Sequence, residues 1–75
     1  MTPERRDKEV DKALRRFFDF STRAKDEKHL KSMINRRTEA MTNTDKLLIW
    51  YDVLRLNKYF GCARHARSRV AELRG

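Results

Sequence analysis

Thr42-Asn43-Thr44-Asp45-Lys46-Leu47-Leu48-Ile49-Trp50-Tyr51-Asp52-Val53-Leu54-Arg55-Leu56-Asn57-Lys58-Tyr59-Phe60-Gly61 is the stretch that decides the fold. Thr42, Asn43 and Thr44 are each good helix N-caps, and Asp45 follows where a first turn would lie. The spacing predicts a helix from Thr44 to about Phe60. Leu47, Leu48, Trp50, Tyr51, Val53, Leu54, Leu56 and Tyr59 leave little of its circumference polar. A helix that is apolar nearly all round belongs at the centre of a bundle. Gly61 reads as its terminator, through the left-handed geometry that glycine adopts cheaply.

Downstream, residues from about Cys62 to Leu73 form a fourth helix with a narrow stripe of mostly small residues: Ala63, Ala66, Val70 and Leu73. Such a stripe lets the helix lie close against its neighbour. Upstream, Thr2 and Pro3 supply an N-cap and a first helical residue. Val10, Ala13, Leu14, Phe17 and Phe18 then follow the 3.6-residue period. Glu4 with Lys8 and Asp11 with Arg15 are acid-before-base pairs of the kind that support an exposed helical face. Ser21-Thr22 marks a break, because both side chains compete for local backbone bonds. A second helix runs from about Ala24 to Met41, on the weaker stripe of Leu30, Met33, Ile34 and Met41.

The expected fold is therefore all-α, a small bundle of three to four helices in a single domain over residues 1–75. A chain this short buries a modest core and gains only a few kcal/mol of stability. Its one cysteine provides no internal disulfide. Self-association burying a shared apolar face would compensate, so a homodimer stands as an open alternative. No apolar run approaches the ~18 residues needed to span a bilayer. The charged N-terminus has no signal-peptide core. Both point to a cytoplasmic protein without a membrane role.

The formal net charge is +8 and the sequence pI about 10.3. From Arg55 to Val70 there are five basic residues and no acid. A chain this basic is drawn to nucleic acid, to an anionic membrane or to an acidic protein face. The candidate nucleic-acid contacts are Arg55, Lys58, Arg64, His65, Arg67, Ser68 and Arg69, mainly on the fourth helix. Arginine, serine and histidine on one helix can reach phosphates and base edges. The helix–glycine–helix order shares only the outline of a helix-turn-helix. Arg67 stands near a position that motif keeps apolar, and Ala66 misses it by one. Arg36 and Arg37 would extend the patch if the bundle brings them onto the face of the fourth helix.

Catalysis has little support. There is no glycine-rich phosphate cradle, no metalloprotease motif and no paired carboxylate in an apolar setting. Cys62 and His65 supply two candidate ligands where a zinc site needs about four, or three plus water. No metal and no cofactor is expected. The functional expectation is a small nucleic-acid-binding or nucleic-acid-associated regulator, with DNA ahead of RNA. The alternative is an adaptor or inhibitor whose basic face docks on an acidic surface of a larger machine. Phe20, Trp50 and Phe60 are the candidate protein contacts. Surface exposure of Trp50 or Phe60 favours the adaptor. Burial of every aromatic, with the arginines on one face, favours nucleic acid.

Overall fold

Thr2 accepts a hydrogen bond from the Arg5 amide at 3.3 Å, and Pro3 opens the first helix. The computed structural model describes residues 2–75. They form α1 (Pro3–Arg23), α2 (Glu27–Ala40), α3 (Thr44–Leu56) and α4 (Phe60–Arg74), with no strand among them. The expected all-α bundle is present, with four helices.

The helix boundaries depart from expectation in instructive ways. Ser21 and Thr22 stay helical, because the Thr22 hydroxyl donates back to the Asp19 carbonyl at 2.8 Å, a bond that a helix accommodates. The break comes two residues later. Asp26 caps α2, its side chain accepting from the His29 amide at 2.7 Å. At the next boundary Asn43 is the cap. Its side-chain oxygen accepts from the amides of Asp45 (3.0 Å) and Lys46 (3.3 Å).

The largest correction falls between α3 and α4. The helix stops at Leu56 rather than Phe60, and Gly61 lies inside the first turn of α4. Lys58 takes the left-handed conformation, with φ of 65°. The Tyr59 amide bonds to the Leu54 carbonyl (2.8 Å) and the Lys58 amide to that of Arg55 (3.0 Å). These are the paired bonds of a Schellman ending. Its reward is tertiary: Tyr59 turns back onto Phe17, with ring centroids 5.5 Å apart.

α3 lies at the centre, packed chiefly against α4 and also against α1, while α2 covers α4. Trp50, Val53 and Leu54 meet Leu30 and Ile34 from α2 and Ala63 and Ala66 from α4 in one cluster. Small residues on α4 allow this close approach. Thr38 is also fully buried, its hydroxyl donating to the carbonyls of Asn35 (3.0 Å) and Ile34 (3.3 Å). The buried seam of α1 is Val10, Ala13, Phe17 and Phe20, spaced three, four and three apart. Leu14 and Phe18, expected inside, stand exposed because one seam is all that α2 and α3 cover. Leu56, expected on the apolar face of α3, is 77% exposed.

The radius of gyration is 11.9 Å, close to the ~11 Å of a compact chain of this length. α1 accordingly folds onto its own bundle, and Arg6 pairs with Asp52 of α3 at 2.7 Å. No helix is long and apolar enough to cross a membrane.

Candidate nucleic-acid interface

The tight reversal after Leu56 lays the last turn of α3 beside the first turns of α4. Arg55 from α3 and Arg67 from α4 both rest against the ring of Tyr51, at 5.6 Å and 5.8 Å from its centroid. An aromatic face attracts a guanidinium and restrains it without neutralising it. Phe60, Arg64 and Arg67, spaced four and three apart, share one face of α4. With Tyr51, Arg55 and Ala63 they line a shallow groove of about 210 Å³. Among the described residues, none of Arg55, Arg64 and Arg67 forms an ion pair with an acid.

The other expected contacts part from this cluster. His65 and Arg69 occupy the opposite flank of α4, toward α2. His65 Nε2 lies 3.1 Å from a Glu39 carboxylate oxygen, and Arg69 donates to Glu72 at 3.1 Å. Ser68 borders the same recess. On this flank the Arg69 charge is locally answered by Glu72, and Glu39 lies beside the His65 ring. Lys58 is exposed on the turn itself. Arg37 does not extend the α4 surface, because it lines a groove against α1 and α3 instead.

The three aromatic candidates also separate. Trp50 is 3% exposed and stacks with half-buried Phe20, centroids 6.2 Å apart. Trp50 is almost wholly covered by the bundle. Phe60 is 57% exposed and sits in the arginine groove. Tyr51 is the participant that sequence reasoning missed. Its signal was available, since Tyr51 and Arg55 are four apart on one helix and hence neighbours.

Cys62 is buried, its sulfur 3.9 Å from the Lys31 carbonyl. Burial pushes its thiol pKa up, and nearby Lys31 pulls the other way without cancelling the effect. His65 lies against Glu39 and not against this thiol. No group of three or more metal-ligating side chains occurs among the described residues.

No protein-family model matches the chain. Neither a curated protein nor a solved structure is significantly similar to it.

Proposed function

We propose that the protein binds nucleic acid by gripping phosphates in the groove between α3 and α4, and acts as a small nucleic-acid-associated regulator. The observation that carries this is the convergence of Arg55, Arg64 and Arg67, from two helices, with no acid answering them among the described residues. Cations held near an aromatic ring but left electrostatically unsatisfied suit a mobile, sequence-independent phosphate backbone. Three phosphate contacts imply a slope of about −3 in log K against log salt. Lys58, on the adjoining turn, would add about one more. Duplex DNA is the first ligand to test.

The experiment is fluorescence anisotropy with a labelled duplex across a salt series. The expected result is binding with that slope, weakened in R55A/R64A/R67A and unchanged in H65A/R69A. Absence of binding at low salt, or equal loss in both variants, would overturn the assignment to this groove.

Exposure of Phe60 is the outcome that favours an adaptor, and it supports a second reading in which the same groove docks an acidic protein surface. Protein hot spots draw on aromatics and arginine in pockets that exclude water. The two differ in their anchor. A protein partner predicts that Phe60→Ala weakens binding more than any single Arg→Ala change. A phosphate backbone predicts the reverse order.

A further inference from the structure

A second set of cations lies across α3 from the first. Arg16 of α1, Arg37 of α2 and Lys46 of α3 line one groove of about 390 Å³, with buried Trp50 and Ile49 at its floor. Two acids share this groove, and both are already engaged. Glu9 lies 3.6 Å from Lys12, and Asp19 lies 3.3 Å from Arg23. Arg16, Arg37 and Lys46 form no ion pair among the described residues. Three helices therefore each deliver one unanswered cation to a common surface, as α3 and α4 do for Arg55, Arg64 and Arg67.

The relation between the grooves follows from helix geometry. Lys46 and Arg55 are nine residues apart on α3, about two and a half turns, and so project from opposite sides of it. The rise along the axis and the step across it place their Cα atoms about 14 Å apart. That exceeds the Debye length of about 8 Å at physiological salt. An anion in one groove would thus neither neutralise the other groove nor strongly repel a second anion there. Among the described residues, no fully buried charged side chain lines the second groove to fix a small ion, whereas a long polyanion needs only exposed charge.

We infer that the two grooves hold two separate phosphate backbones, so that one molecule bridges two nucleic-acid segments. This rests on the first groove being a phosphate site. All six cations are exposed, so changing them to glutamine leaves the core intact, and circular dichroism melts serve as the control.

The test uses the full chain, a bead-immobilised duplex and a second, labelled duplex in solution. The wild type captures the labelled duplex onto the beads. R16Q/R37Q/K46Q still binds a single duplex in solution but loses co-capture by about ten-fold or more, since one grip of three charges is gone. R55Q/R64Q/R67Q loses co-capture as well. Trp50, the single tryptophan, reports the second groove: duplex shifts its emission in the wild type and in R55Q/R64Q/R67Q, and not in R16Q/R37Q/K46Q. Undiminished co-capture by R16Q/R37Q/K46Q overturns the bridge while leaving the first groove's assignment standing; two copies each using the first groove would give that result. Polyglutamate displacing the labelled duplex from the second groove in preference to competitor DNA overturns it in favour of an acidic protein. Absence of duplex binding by the wild type removes the first groove's assignment and the bridge together.

Discussion

Lys58 holds a backbone region that costs an L-residue about 1–2 kcal/mol. Glycine would relieve that cost but forfeits about 0.5–1 kcal/mol of chain entropy. Lys58→Gly should therefore raise stability by about 0.5–1 kcal/mol, read as the midpoint of urea unfolding, while lowering the salt slope of the proposed nucleic-acid binding by about one. Gly61 is the converse case. A Cβ there meets nothing within 4 Å, and its φ is not positive. Gly61→Ala should stabilise by about 0.5 kcal/mol; a loss of stability would contradict its place inside α4. Residue type alone pointed to Gly61 as the turn. What moved the turn to Lys58 was the contact of Tyr59 with Phe17, which no local string contains. Cys62 offers a pH test. Its folded pKa is raised above an ordinary value of 9.0, first by burial and despite Lys31. The folded state thus holds the thiol proton more tightly. The associated stability is whole below about pH 9 and declines as pH rises through the folded value. Cys62→Ala should show a shallower alkaline decline in melting temperature than the wild type, and identical alkaline slopes would refute the linkage.

Caps distinguish the helices. Asn43 satisfies two amides of α3, so Asn43→Ala should cost about 1 kcal/mol in thermal or urea unfolding. A cost near zero would mean that Thr42 or Thr44 takes over. α4 has Tyr59 at its N-cap position with no side-chain cap bond, and so depends on packing against α3. Element type was legible throughout, because capping residues and the 3.6-residue period are local. The buried side of each helix was less so. The α1 string contains two overlapping apolar series, and only the arrangement of α2 and α3 selects the one ending in Phe20 over the one ending in Phe18. The candidate interface shows the same division. Arg55, Arg64, Arg67, His65 and Arg69 were all legible as candidate contacts. That the first three share a groove while the last two face Glu39 and Glu72 depends on which neighbour covers each flank of α4.

The distribution of charge over the whole molecule is less even than its composition. Of the 11 acids in the chain, six stand in ion pairs with Lys or Arg among the described residues, five of them with a base on the same helix. Acids spent in this way leave the excess of +8 concentrated where bases lack partners, including both grooves. Three connections, at 24–26, 41–43 and 57–59, join the four helices, each three residues long. Of the 19 lysines and arginines, Lys25 and Lys58 alone fall within them. A protease needs extended backbone, and helical sites must unfold before they are cut. Brief trypsin treatment of the native protein should therefore nick first after Lys25 and Lys58, as read by intact mass; early cleavage within α2 or α3 would contradict the arrangement. The bond after Lys58 lies on the turn that carries Arg55 toward Arg64 and Arg67, whereas the bond after Lys25 lies in a different connection. A ligand seated between α3 and α4 would shield the first and spare the second, so the ratio of the two nicks gives a label-free footprint of occupancy.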